Sequence, residues 1–466
     1  MSPAQKPEGG VMDYDLLFIG GGPAGYEGAI AAAKKGLRTA VVEMDQLGGT
    51  CLQRGCIPTK TILHSVKAIK QINDFAKIGV RVEKFQVSLD EINRRKIRIV
   101  SKLTRGIELL FKQSNVALIK GKAQVTGANT IHVDGQKELS ARHIVIATGS
   151  KPAELPFLKW NGQNVISSDE LLKLESIPET MLVVGAGAVG LEWALIYSYL
   201  GSKVTVVEIM ETIVPGTDHE IANILKNELI KQNITIHTST AISVPRLGAK
   251  VNLSFKKGDK EWQEDFDKVL LAVGRIPNTT GLFAEDLRFH LDAKGFIPVS
   301  TNLQTMSPAI FACGDVIGPP LLAHKASHQA MAIVDYITAN KPVVHHPLPA
   351  AIFTFPEVAT VGLSENQALK EKLEIKIGRF PYAAGSRANA IDEKTGLVKV
   401  IAAKDNTILG AHIIGAEAGE LLPLLTYAVT RRLKSDEFKE LVFVHPTLSE
   451  NIWEALGEIS KFSIHI

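Results

Sequence analysis

The 466-residue chain is expected to be an α/β protein, with two tandem β-α-β units followed by a third, C-terminal region. Three observations carry this. An apolar run, a Gly-rich turn, a helical segment and a second apolar run ending on Glu occur twice. The two copies keep a constant offset of 165 residues. The length accommodates about three domains, and 45% hydrophobic with 22% charged residues is an ordinary globular composition.

The first copy opens with the apolar run Asp15–Ile19, expected to be a strand, and stops at the turn Gly20-Gly-Gly-Pro-Ala-Gly25. Tyr26–Lys35 is Ala-rich and expected to be helical, and Thr39–Val42 is a second strand ending on Glu43. The second copy runs through Met181–Val184, the turn Gly185-Ala-Gly-Ala-Val-Gly190, a helix to Leu200, and Val204–Val207 ending on Glu208. A later apolar run follows in each, His143 to Thr148-Gly149 and Val269 to Gly274, expected to close the sheet of its own unit.

Glycine triplets alone are weak signals. Here each follows a strand, opens a helix and precedes a Glu by 18 residues. The first Gly (Gly20, Gly185) allows the tight turn and the second (Gly22, Gly187) lets backbone approach a pyrophosphate. The third (Gly25, Gly190) packs helix against strand. The helix N-terminus offers N–H groups and a positive dipole end to phosphate. Two Rossmann-like units, each binding a dinucleotide, are therefore expected. A carboxylate at Glu43 or Glu208 suits a ribose 2′-OH and repels a 2′-phosphate. Glu208 is followed by Ile209, Met210 and Glu211 with no Arg, so NAD is favoured over NADP.

Composition excludes several classes. Lys and Arg total 52 against 49 acidic residues, a net charge of +3, so nucleic acid is not an expected partner. The six basic residues from Arg94 to Arg105 read as a solvated helix face. No apolar run reaches the roughly 20 residues of a membrane helix. Residues 1–12 fit neither signal nor transit peptide and read as a flexible lead-in. Three Cys cannot form a secreted disulfide framework, so a reducing compartment, the bacterial cytoplasm, is expected.

Cys51 and Cys56 lie directly after the first unit, in Gly48-Gly-Thr-Cys51-Leu-Gln-Arg-Gly-Cys56-Ile-Pro-Thr-Lys60. This spacing suits no zinc knuckle, and no metal site is expected. On an ideal helix the pair would be about 7.5 Å apart along the axis, unless Gly55 and Pro58 distort the turn. Spacing alone leaves open two buried, unpaired thiols or a redox pair; the neighbouring dinucleotide unit favours the latter. Cys313 reads as a small core residue.

In these features the chain resembles the flavoprotein disulfide reductases of the class I pyridine nucleotide-disulfide oxidoreductase family, and among them the dihydrolipoamide dehydrogenases. The resemblance runs from Tyr14 to the C-terminus. It is carried by the turn Gly20–Gly25, the segment Cys51–Lys60 and Ala147-Thr148-Gly149. The turn Gly185–Gly190, Gly314-Asp315 and His445-Pro-Thr-Leu-Ser-Glu450 complete it.

The resemblance implies FAD on the first unit, with Glu43 on the adenosine ribose, Asp315 near the ribityl chain and Ala323 among the cofactor-binding residues. It implies that Cys56 faces the flavin and Cys51 meets substrate, and that Lys60 pairs with Glu192 near the flavin. His445 is implied as the base that takes a thiol proton, oriented by Glu450; the stretch Thr447–Glu450 also reads as a capping box for a helix over Asn451–Ile459. Strands are expected in Phe353–Gly362 and Gly410–Gly415.

The implied architecture is an FAD-binding and central part (13–150 and 280–347), an NAD-binding domain (151–279) and a C-terminal α+β dimerisation domain (348–466). The implied assembly is a homodimer in which His445 serves the partner's site. The implied activity is oxidation of dihydrolipoyl groups with NAD⁺. The carriers would be lipoyl domains of 2-oxo acid dehydrogenase complexes or the glycine cleavage H protein.

Relatives with the same fold fit less well. A glutathione-type reductase conflicts with Glu208, a mercuric reductase would need Cys residues after Cys313, and a soluble transhydrogenase would lack the Cys pair. A non-enzymatic scaffold would have no use for the cysteines, His445 and both acidic residues.

Overall fold

The computed structural model describes residues 12–287 and 289–465; the expected lead-in at 1–12 lies, apart from Met12, outside the described residues. The chain divides into two compact units. One comprises the described residues up to Thr59 with Arg94–Pro152 and Arg275–His345. The other comprises Lys60–Asn93, Ala153–Gly274 and the described residues from His346.

In the first unit, strands Ala117–Lys120, Thr39–Glu43, Tyr14–Ile19 and Lys137–Ile146 lie side by side, and Ile310–Ala312 pairs with the last of these. All these pairings are parallel. The first half of Lys137–Ile146 also carries Thr130–Val133 and then Ala123–Val125 in antiparallel register. Leu16 and Phe18 pack on one face while Leu17 and Ile19 pack on the other. Burial on both faces is why these strands read as unbroken apolar runs rather than alternating ones. Helix Pro23–Lys34 follows the first turn.

The second unit holds an all-parallel sheet in the order Ile234–His237, Lys203–Val207, Thr180–Val184, Lys268–Leu271, Val165–Ile166. Met181 and Val183 enter one core and Leu182 and Val184 another. The later strands of the two repeats do not close their sheets. Lys137–Ile146 and Lys268–Leu271 each pair with the first strand of their repeat, but further strands lie beyond them.

The C-terminal part of this unit is a five-stranded antiparallel sheet: Ala350–Ile352, Glu357–Gly362, Ile408–Gly415, Leu397–Ala403 and Ile375–Pro381. Helices Ala418–Arg431 and Glu450–Ser460 pack on it through Leu422, Leu425, Ile452 and Leu456. The strand expected over Phe353–Gly362 starts only at Glu357. Pro356 has no N–H to give a ladder, so Phe353–Pro356 forms the connection instead.

Two local expectations are corrected. The last helix begins at Glu450, with Ser449 at its N-cap. Thr447 does not cap it, because its hydroxyl is spent on the Val444 carbonyl and Ser449. The basic stretch Arg94–Arg105, within helix Leu89–Gln113, is not solvated throughout. Lys96 is buried in the same row as Thr104, Ile107 and Phe111.

Candidate active site

The two Gly-rich turns are the same object built twice. Gly20 and Gly185 sit at φ +104° and +103°, a region that favours glycine. Each donates its N–H to the carbonyl of the second strand, Val42 or Val207, at 2.8 Å. A Cβ on Gly25 or Gly190 would stand 1.8 or 2.0 Å from the carbonyl oxygen of the first glycine, so the helix starts where no side chain fits. Gly22 and Gly187 are the N-caps, and neither supplies a side-chain cap. The first-turn N–H groups of both helices therefore have no capping side chain to compete with a phosphate.

The acidic residues repeat as closely. Glu43 accepts the Gly21 N–H at 2.6 Å and the Asp45 N–H at 2.7 Å. Glu208 accepts the Ala186 N–H at 2.8 Å and the Met210 N–H at 2.9 Å. Each carboxylate is thus fixed beside its turn with one oxygen per N–H, and each oxygen keeps a lone pair for a hydroxyl donor. A cavity of about 280 Å³ lies beside Glu43, lined also by Leu47, Thr104, Leu118 and Lys120.

Other first-unit residues fit a flavin nucleotide. Thr148 has its Oγ1 buried without a hydrogen-bond partner among the described residues, a site that suits a ligand atom. Gly149 follows it at φ +70°. Asp315 lies in the short turn Gly314–Ile317 after strand Ile310–Ala312. Its Oδ2 accepts the Ser150 hydroxyl at 2.6 Å, and Arg275 donates to the Ser150 hydroxyl and carbonyl at 2.8 and 2.7 Å. Ala323 is the first residue of helix Ala323–Ala339. Buried Lys325 donates to the Gly318 carbonyl at 2.5 Å, bracing that turn. Sequence reasoning did not find Ser150, Arg275 or Lys325; the only trace was the glycine after each late strand.

The thiol segment is anchored on the first turn, since Gly48 N–H donates to the Gly21 carbonyl at 2.8 Å. Cys51 lies in helix Gly49–Arg54 and Cys56 opens helix Cys56–Asp74, both half-buried. Gly55 separates the helices. A Cβ there would stand 2.9 Å from the Thr50 carbonyl oxygen and 3.5 Å from Cys51 Cα, so the close return of the chain requires glycine. Arg54 pairs with Asp45 on the exposed side of the segment.

Lys60 Nζ lies 2.7 and 2.9 Å from the two oxygens of Glu192, whose side chain is only 5% exposed. Phe353 completes the pair. Its N–H donates to Glu192 at 3.0 Å and its ring centroid is 4.8 Å from Lys60 Nζ. Phe353 carried no signal beyond its place in an apolar run.

His445 and Glu450 also meet, with Nδ1 2.9 Å from Oε1. The other carboxylate oxygen of Glu450 accepts the Thr447 N–H at 2.8 Å, so the carboxylate that orients the ring is itself held. His445 is 69% exposed and Glu450 31%. Nδ1 taken by a carboxylate leaves Nε2 as the nitrogen that can accept a proton.

The chain is similar to known proteins over nearly its whole length. Residues 14–330 match the pyridine nucleotide-disulphide oxidoreductases and residues 348–456 match their dimerisation domain. The chain is 38% identical to the mitochondrial dihydrolipoyl dehydrogenase of Dictyostelium discoideum, across 97% of this chain and 95% of that one. It is 37% identical to the dihydrolipoyl dehydrogenase of Thermus scotoductus, across 97% and 99%.

The chain belongs to the dihydrolipoyl dehydrogenase family.

Among solved structures, LpdA of Mycobacterium tuberculosis superposes with a TM-score of 0.87 at 26% identity, covering 96% of this chain and 99% of that one. As a member of the family the chain is an oxidoreductase whose cofactors are FAD and NAD, and it carries the family's dimerisation domain. Among the described residues no helix is long and apolar enough to cross a membrane. No group of three or more His, Cys, Asp or Glu among them could hold a metal ion.

Cys313 is fully buried in the core of the first unit. Burial pushes its thiol up to about 12, against a smaller opposing pull from Lys325. At about pH 8, where exposed thiols react, a small alkylating reagent is therefore expected to spare Cys313 in the reduced native protein. Mass spectrometry of labelled peptides before and after denaturation checks this.

Proposed function

We propose that this chain is an NAD-dependent dihydrolipoyl dehydrogenase. It oxidises protein-bound dihydrolipoyl groups to the disulfide, with electrons passing through a Cys51–Cys56 redox pair and FAD to NAD⁺. The observation that carries this reading is the pairing of a thiol segment, seated on one dinucleotide turn, with an oriented His445–Glu450 base in the same chain. Glu208, fixed beside the second turn with no Arg following, supports NAD.

Thiol–disulfide exchange needs a thiolate to attack and a base to form it. His445 takes the proton of the first substrate thiol at Nε2, and Glu450 stabilises the resulting imidazolium. The substrate thiolate attacks the Cys51 sulfur, breaking its bond to Cys56, which leaves as thiolate. The second substrate thiol then attacks the first substrate sulfur and displaces Cys51, which takes its proton. The lipoyl disulfide is released and the enzyme keeps a reduced dithiol pair, Cys51 as thiol and Cys56 as thiolate. FAD, when bound, supplies the two-electron exchange between that dithiol and NAD⁺. Lys60, one helical turn after Cys56 and held by Glu192, provides a fixed cation for negative charge developing near it.

The residues proposed to hold FAD are Gly20, Gly22, Gly25, Glu43, Thr148, Gly149, Asp315 and Ala323, with Lys60. Those proposed for NAD are Gly185, Gly187, Gly190, Glu208 and Gly274. The proposed domains are 13–150 with 280–347, 151–279 and 348–466. The proposed assembly is a homodimer in which His445 completes the partner's site. It would serve lipoyl domains of 2-oxo acid dehydrogenase complexes or the glycine cleavage H protein, in the cytoplasm, where a chain with three Cys meets reducing conditions.

Thiol titration during turnover on a reduced lipoyl domain tests the reading. A pair of lipoyl thiols should disappear for each NADH formed. NADH without thiol loss would refute it.

A further inference from the structure

Lys399, on strand Leu397–Ala403 of the C-terminal sheet, is buried to 1% exposure. Its Nζ lies 2.8 Å from Asp218, 2.9 Å from Glu220 and 2.6 Å from Glu365. Arg379 pairs with Glu220 and Glu365 at 3.0 and 3.2 Å. His412, opposite Lys399 on the neighbouring strand, bonds the Leu363 carbonyl, and burial holds its ring neutral. Burial works against the Asp218 carboxylate, but the hydrogen bond and charge of Lys399 outweigh it and keep it below the ordinary range. A buried cation facing three carboxylates is more than a folded core requires, since apolar side chains of similar volume stabilise a core as well.

What the cluster holds is one end of a loop. Asp218 is 0% exposed and caps helix His219–Lys231, accepting the Glu220 N–H at 3.0 Å. Its other oxygen accepts the Glu365 N–H at 3.1 Å. Residues 209–217 connect it to Glu208. In the middle of this loop Val214 N–H donates to the Ala186 carbonyl at 2.8 Å, inside the second Gly-rich turn. Val214 does so at φ +43°, a conformation a β-branched residue adopts only when its surroundings enforce it. Ile213 and Val214 are both buried. The loop is thus tied to the turn at Glu208 and Val214 and to the C-terminal sheet at Asp218.

We propose that Lys399 is a positioning residue for NAD: by fixing Asp218 it holds the loop 209–217, and with it Glu208, against the turn that receives the dinucleotide. The proposal rests on the reading that the second turn binds NAD.

The test uses purified FAD-loaded Asp218→Asn enzyme, which keeps the capping oxygen but loses the charge facing Lys399, beside Lys399→Met. NADH binding is followed by fluorescence, with KM for NAD⁺, kcat at saturating NAD⁺, KM for dihydrolipoamide and FAD content. The expected result is roughly a fivefold or larger rise in NADH Kd and in KM for NAD⁺. The kcat, the dihydrolipoamide KM and the FAD content should stay within about twofold. An unchanged KM for NAD⁺ with a lowered Tm overturns the proposal, as does a uniform loss of all parameters. Should Lys399→Met not fold, Asp218→Asn alone decides. Glu208→Ala separates the two ways of failing. If it raises KM for NAD⁺ while Asp218→Asn does not, the positioning role is wrong. If it leaves KM unchanged as well, the NAD assignment fails and the proposal falls with it.

Discussion

Cys56→Ser is expected to abolish turnover with dihydrolipoamide, by roughly a thousandfold or more, because no second route carries electrons out of the substrate dithiol. Serine is nearly isosteric and Cys56 is only half-buried at the start of its helix, so folding should change by less than about 1 kcal/mol. FAD content measured beside activity separates lost chemistry from lost protein. The reduced variant should also lack the long-wavelength absorption band of a thiolate facing flavin, whereas Cys51→Ser should keep the band and still lose turnover. A band that survives in Cys56→Ser would reverse the assigned roles.

His445→Gln is the second large effect. A positioned proton acceptor contributes about 10²–10⁴ in rate, and the fall in kcat should lie in that range. Glu450→Gln should cost less, since it weakens the orientation of the ring without removing it. His445 is largely exposed, so stability and FAD content should not move. Mixing offers a sharper readout. If each site combines the cysteines of one subunit with the histidine of the other, hybrids of Cys56→Ser and His445→Gln contain one intact site. Random exchange should then restore roughly a quarter of wild-type activity. No recovery on verified exchange would place His445 in the site of its own chain.

The parts of the site legible in the sequence were those with a local steric cause. Gly25 and Gly190 sit where a Cβ collides with the carbonyl five residues earlier, Gly20 and Gly185 take a positive φ, and Glu43 and Glu208 each bond an N–H of the turn they follow. Such constraints leave a pattern of fixed spacing. The pair Lys60–Glu192 spans 132 residues and was legible only through the resemblance. Phe353, Ser150 with Arg275, and the Lys399 cluster are brought together by sheet packing that leaves no spacing to read. Lys96 is a different lesson. A run of basic residues suggested a wet helix face, but the helical period places Lys96 in the row of Thr104, Ile107 and Phe111, and that row is buried.

NADH formation from NAD⁺ and dihydrolipoamide by the FAD-loaded protein, with NADP⁺ as the comparison acceptor, is the most direct test of the proposed reaction. Fast turnover with NAD⁺ and little with NADP⁺ is the predicted result. A protein that binds FAD and has a reducible Cys51–Cys56 pair, yet forms no NADH from dihydrolipoamide, would contradict it.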